Sequence, residues 1–239
     1  MVANVERVKG LLFDKDGTLL DFHKTWGRLG EEVIATLSAG EPRLARMLAG
    51  TAGYDLATQR YAPGSPIVAG STTDLVRAWL PHLHLWTAAE LEIWLNAQAA
   101  TVARRGVVAA SEDLPALLRR LRDAGLRLGV ATHDAEAPAR AQLEDLGVAA
   151  AFDFVAGYDS GYAPKPDDAM LRGFCAHVGL SVSEVLVIGD SAHDLGMGRR
   201  GGALASIGVL TGPATRSDLD PLADRVLGSI DELPDMLGI

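Results

Sequence analysis

Short apolar runs that end in polar residues recur along the chain, at residues 8–13, 126–131, 152–156, 185–188 and 203–209. Each is a few residues long and is followed by helix-like periodicity, as expected of parallel strands buried on both faces. Helical patterns occupy 112–124, 135–146, 168–178 and 193–200. Parallel strands need crossover connections, so this alternation predicts an α/β fold, a doubly wound, Rossmann-like parallel sheet covered by helices on both sides.

Between residues 21 and 105 the rhythm changes. Apolar positions recur with helical spacing at 26–37, 41–47, 73–80 and 87–102, and no convincing strand is found. Residues 61–70, rich in Pro, Gly and Ala, read as a loop between helices. The interval is expected to form a second, smaller helical domain inserted above the carboxyl edge of the sheet. The expected division is therefore a core of residues 1–20 and 106–239 and a helical cap of residues 21–105.

Composition narrows the function. The 239 residues carry a net charge of −9, which argues against nucleic acid, whose binders neutralise phosphates with a basic face. No apolar run approaches the roughly 18 residues of a membrane span. Cys175 is the single cysteine, so no internal disulfide and no multi-thiolate metal site can be built. The charged N-terminal stretch lacks the apolar segment of a signal peptide, and a cytoplasmic location is expected.

Four predicted strand ends have reactive side chains nearby. In open α/β sheets these ends line the ligand crevice, so residues distant in sequence can converge there. The first segment is Asp14-Lys15-Asp16-Gly17-Thr18. If the strand runs through Asp16, both carboxylates share one face, roughly 7 Å apart at Cα; the other reading is an Asp-Gly turn with solvated acids. The second is Thr132-His133-Asp134, either an anion site at a helix start or plain capping of the helix that follows. The third is Lys165 between Pro164 and Pro166, a held cation or a solvated lysine. The fourth is Gly189-Asp190-Ser191-Ala192-His193-Asp194, whose paired acids suit a hard cation.

In this order the four segments resemble the haloacid dehalogenase superfamily of phosphohydrolases, most closely its phosphoglycolate phosphatase-like members, over essentially the whole chain. The helical insertion is similar to that superfamily's small cap. The resemblance implies that Asp14 is a nucleophile forming an aspartyl-phosphate and that Asp16 is the general acid and base. It also implies that Thr132 and Lys165 hold the phosphoryl oxygens, and that Mg²⁺ is bound by Asp14, the Asp16 carbonyl and Asp190, with Asp194 in or near its second layer. His133 stands where relatives often carry Asn, and substrate contact is one of its two expected roles, the other being packing. Asp168 replaces a proline common in relatives.

Four ionised aspartates against Lys165 leave three uncompensated negative charges, so a phosphate dianion would be repelled without a metal. The expected substrate is a small phosphorylated metabolite. A phosphomutase of the same superfamily shares these motifs. From another class, a phosphoacceptor switch also combines aspartates, a hydroxyl, a lysine and Mg²⁺, although it has no acid two residues past its phosphoacceptor. A dinucleotide fingerprint occurs at residues 196–201, but within a predicted helix rather than directly after a strand. Trp26, Trp79, Trp86 and Trp94 all fall in the expected cap, where apolar helix faces suit a core or a homodimer contact better than a ligand pocket.

Overall fold

The computed structural model describes residues 5–62, 65–69 and 72–239. In chain order the strands are β1 (Gly10–Phe13), β2 (Tyr54–Asp55), β3 (Arg60–Tyr61), β4 (Arg127–Ala131), β5 (Phe154–Ala156), β6 (Val185–Gly189), β7 (Ala205–Val209) and β8 (Arg225–Leu227). The helices are α1 (Phe22–Ser38), α2 (Pro42–Thr51), α3 (Pro66–Ala69), α4 (Thr72–Trp79), α5 (Ala88–Arg105), α6 (Leu114–Asp123), α7 (Glu136–Asp145), α8 (Ala169–Val178), α9 (Ala192–Gly201), α10 (Arg216–Leu219) and α11 (Leu233–Leu237). The chain divides into two compact units, one of Met1–Asp21 with Val108–Ile239 and one of Phe22–Val107.

The first unit is a six-stranded parallel sheet in the order β5-β4-β1-β6-β7-β8. Side chains alternate along each strand, so β1, β4, β5 and β6 each feed two cores. Leu11, Phe13, Val130, Leu186 and Ile188 pack on one face with Leu117, Leu121 and Leu143. Leu12, Ala131, Val185 and Val187 pack on the other with Met170, Leu171 and Phe174. The strand order reverses at β1, which lies between β4 and β6 with Phe13 level with Val130 and Ile188. Residues that leave the carboxyl ends of these three strands therefore emerge side by side, at the switch point where α/β sheets hold ligands.

In the second unit the helices bury Ile34, Leu48, Leu75, Trp79 and Leu91 around Tyr54 and Tyr61. Trp79 is fully buried and donates Nε1–H to the Leu48 carbonyl at 2.9 Å, and Trp26, Trp86 and Trp94 pack partly buried against the same core. The expectation of a strand-free insertion is corrected by β2 and β3, an antiparallel pair. The Tyr54 hydroxyl donates to the Gly27 carbonyl at 2.7 Å, which docks this hairpin on α1. With two residues per strand it offers no period for a sequence pattern to reveal. The predicted loop at 61–70 contains the end of β3 and the short α3, while its residues 63, 64 and 70 lie outside the described residues, as do the first four of the chain. β8 also went unpredicted, since its three residues begin on exposed Arg225.

Gly196, Gly198 and Gly201 of the apparent dinucleotide fingerprint lie inside α9. A Cβ on Gly198 would stand 2.3 Å from Ser206 Oγ and 3.1 Å from Val187, so that glycine serves close helix-to-sheet packing. Among the described residues no helix is long and apolar enough to cross a membrane.

Candidate active site

β1 ends at Phe13 instead of running on to Asp16. Asp14 makes one more ladder bond, its N–H donating to the Ile188 carbonyl at 2.8 Å, and the chain then folds into a turn in which the Lys15 carbonyl accepts from Leu19 and Leu20. Gly17 sits in this turn at φ +91°, a conformation open to glycine and strained for other residues. Asp14 and Asp16 thus stand on different backbone geometries, and the shared strand face expected from a period of two is not formed.

Lys165 ties the site together. Its ammonium donates to Asp14 Oδ1 at 2.7 Å, Asp194 Oδ1 at 2.6 Å and the Ala131 carbonyl at 3.0 Å, which matches its three protons. Lys165 is 5% exposed, so the solvated-lysine reading fails. Asp194 spends its other oxygen on the first turn of α9, where Ser191 donates both its N–H, at 3.1 Å, and its hydroxyl. The capping box holds Oδ2 while Lys165 holds Oδ1, so the carboxylate is fixed at both oxygens. Asp14, Asp190 and Asp194 are all buried, and each offers an oxygen within 4.8 Å of the others.

Asp190 lies in a slot cut by two glycines. A Cβ on Gly17 would approach its Oδ2 to 2.4 Å, and one on Gly212 to 1.7 Å. Thr211 fastens the second loop to the first by donating its hydroxyl to the Gly17 carbonyl at 2.6 Å.

Thr132 is buried, and its N–H extends the sheet by donating to the Ala156 carbonyl at 2.9 Å. Its hydroxyl accepts from the Asp134 N–H at 3.1 Å. Neither Thr132 nor Asp134 caps the next helix. α7 starts at Glu136 with Ala135 at its N-cap, and the Glu136 N–H is taken by Asp159 at 2.8 Å. The helix expected from Ala135 thus begins one residue later, and the capping expected of Thr132 or Asp134 is not made. His133 is half-buried, its Nε2 3.2 Å from the Lys165 carbonyl and its ring 5.5 Å from that of His193.

The charges explain one another. Burial pushes the Asp14 carboxyl up to about 7 against the pull of Lys165, with repulsion from Asp194 and Asp16 adding to the rise. Asp190 lies well above the usual carboxylate range, first through burial and then through Asp14 and Asp194. Burial alone would lower Lys165, but Asp14 and Asp194 outweigh it and hold the ammonium charged. His133 is pushed down to about 4 by burial and by Lys165, so it is neutral near pH 7. Three buried carboxylates facing a single shared ammonium form a donor set that fits a hard divalent cation, which prefers oxygen ligands.

The sequence reading passed over Lys15, Gln142, Thr211 and Gly212. Lys15 is completely buried against Asp16, Asp134 and Gln142. Its position directly after a strand-ending aspartate was the available signal; the others had none in their local sequence.

The haloacid dehalogenase-like hydrolase family model matches residues 8–202. A phosphoglycolate phosphatase from Rhodospirillum rubrum is 41% identical over 87 residues, a match that spans 36% of this chain and 36% of that protein. Another from Neisseria gonorrhoeae is 26% identical over 242 residues, covering 98% of this chain and 94% of its own. Among solved structures, CbbY from Rhodobacter sphaeroides in complex with phosphate is similar at a TM-score of 0.68 and 21% identity, over 95% of this chain and 96% of that one.

Proposed function

Because the chain belongs to the haloacid dehalogenase-like hydrolases, we propose that it is a Mg²⁺-dependent phosphatase that hydrolyses a small phosphorylated metabolite through an aspartyl-phosphate on Asp14. The observation that carries this reading is the convergence of Asp14, Lys165, Asp190 and Asp194 at the switch point of the sheet. Phosphoglycolate is the first substrate to test, since the relatives of Rhodospirillum rubrum and Neisseria gonorrhoeae are phosphoglycolate phosphatases. The expected division of labour, a catalytic α/β unit and a helical cap that sets selectivity, is part of the proposal.

Asp14 and Asp190 would hold the metal together with the Asp16 carbonyl, with Asp194 behind them. Bound there, Mg²⁺ offsets carboxylate charge and polarises a phosphoryl oxygen. In the first step an Asp14 oxygen attacks phosphorus and the bond to the leaving oxygen breaks. That oxygen keeps the electron pair and takes a proton from Asp16. In the second step Asp16 removes a proton from water, the water oxygen attacks phosphorus, and the bond to Asp14 breaks to release phosphate. Lys165 and Thr132 would hold phosphoryl oxygens, and His133, neutral near pH 7 with its one N–H spent on the Lys165 carbonyl, would steady the lysine's backbone without adding charge.

Asp14→Asn should abolish Mg²⁺-dependent hydrolysis of p-nitrophenyl phosphate, and undiminished turnover would sink the reading. A screen of phosphorylated metabolites with Mg²⁺ then identifies the substrate. Rapid phosphate release from acetyl phosphate separates an enzyme from a phosphoacceptor switch, which would accumulate phosphoprotein instead.

A further inference from the structure

The Lys15 ammonium lies 2.5 Å from Asp16 Oδ2, 3.1 Å from Asp134 Oδ2 and 2.5 Å from Gln142 Oε1, with no exposed surface. Burying an ammonium costs several kcal/mol unless its partners are well placed. An apolar side chain would fill the same space without that cost. The acceptors come from two places. Asp16 is on the turn after β1, whereas Asp134 and the fully buried Gln142 belong to the segment running from β4 into α7. Asp16 itself lies beyond the strand on a short turn, its backbone joined to Leu20 by a single bridge, so the β1 ladder does not fix its side chain. The ammonium of its neighbour, anchored to Asp134 and to Gln142 of α7, pairs with that side chain at Oδ2.

We propose that Lys15 is a positioning residue for Asp16. It holds the carboxyl at one orientation by tying it to Asp134 and Gln142, so that the proton is delivered along the line to the leaving oxygen. The proposal rests on the acid–base role of Asp16 advanced above. General acid catalysis is worth about 10²–10⁴-fold, and a misplacement of about 1 Å can forfeit about 10²-fold of such an effect. The loss should be confined to substrates whose leaving group needs the proton. p-Nitrophenolate departs as an anion with little help, whereas phenolate from phenyl phosphate is a far poorer leaving group.

The test compares kcat/KM for p-nitrophenyl and phenyl phosphate, because this ratio reports the step in which the leaving group departs. Asp16→Asn serves as the reference. In Lys15→Met, phenyl phosphate should lose about 10–100-fold while p-nitrophenyl phosphate stays within about threefold of the parent. Lys15→Met strands two carboxylates, so Lys15→Met/Asp134→Asn, which removes one charge of each sign, and Gln142→Leu, which removes an uncharged anchor, should show the same selectivity. The Mg²⁺-induced rise in Tm should persist in all three, since a merely structural defect would depress both substrates and the metal response together. Equal losses on both substrates, or none, in these variants would overturn the positioning role alone if Asp16→Asn is selective against phenyl phosphate. If Asp16→Asn is itself unselective, the acid role falls and the positioning role with it.

Discussion

Lys165 donates to Asp14 at 2.7 Å, and Asp14 still resists ionisation because burial and the neighbouring aspartates outweigh that one cation. Its carboxyl rises from 3.8 to about 7 on folding. A carboxyl raised in this way contributes stability that is fully present below the unfolded value and is lost as pH climbs through the folded one. In metal-free protein, Asp14→Asn should therefore match or fall below the parent near pH 4. It should overtake the parent as pH rises and level off above about 7. Thermal melts in EDTA between pH 4 and 8 check this, and comparing the two proteins cancels the opposite trend of His133, which is pushed down to about 4 and costs stability as pH falls below its ordinary range. A parent that gains on Asp14→Asn as pH rises would contradict this charge balance.

The same carboxylates make metal the natural counterweight at higher pH. Adding Mg²⁺ at pH 8 should raise Tm, with a gain of about 2.7 kcal/mol at a hundredfold excess over Kd, and EDTA should abolish turnover. Asp190→Asn removes a buried oxygen donor and should lose both the thermal shift and activity while still folding, since the amide no longer has to be ionised among carboxylates. A thermal shift that survives in Asp190→Asn would place the cation elsewhere.

What could be read in the sequence followed from how local each feature is. Asp14 and Asp190 lie where an apolar strand gives way to polar residues, with Asp194 four residues past Asp190 in the first turn of α9, and strand-end logic predicts their convergence. Lys165 lies on no strand, and its place in the site came from the family resemblance. The alternation of strand and helix likewise revealed five of the six strands of the sheet. β8 and the β2–β3 hairpin escaped because two or three residues cannot display a period. Thr132 and Asp134 read as possible caps of the helix expected from Ala135, because Thr and Asp commonly cap helices, and only the fold shows that Ala135 stands at the cap and that the Thr132 hydroxyl is taken by the Asp134 N–H. Lys15 was marked only by its place directly after a strand-ending aspartate, since its partners Asp134 and Gln142 arrive from another crossover.

Cys175 offers a probe of the core face formed by α8. Its thiol is buried and pushed from 9.0 up to about 11, chiefly by that burial. The thiolate is the reactive form, so at pH 8 its fraction should be about a hundredfold below that of an ordinary cysteine. Reaction with a disulfide reagent should be correspondingly slow in folded protein and fast in urea. The folded-state rate should still be climbing with pH at pH 9 to 10, where an unperturbed thiol levels off. Rapid labelling at pH 8 without denaturant would show that α8 does not shield this position.

Gly212 should prove sensitive to substitution, although it brings no functional group. A Cβ there would fall 1.7 Å from Asp190 Oδ2, 2.3 Å from its Cγ and 2.6 Å from its Cβ, so the aspartate rather than a flexible tip must move. The Thr211 hydroxyl holds the same loop to the Gly17 carbonyl at 2.6 Å, which limits how far the loop can retreat. Gly212→Ala should therefore cost about 10²-fold in kcat, the scale of a misplacement near 1 Å, and should weaken the Mg²⁺-induced thermal shift. Thr211→Val, which removes the tether and keeps the volume, should restore part of that loss when combined with Gly212→Ala, because the loop can then give way. Circular dichroism would verify that the variants keep their fold, and an unimpaired Gly212→Ala enzyme would mean that Asp190 need not occupy this slot during turnover.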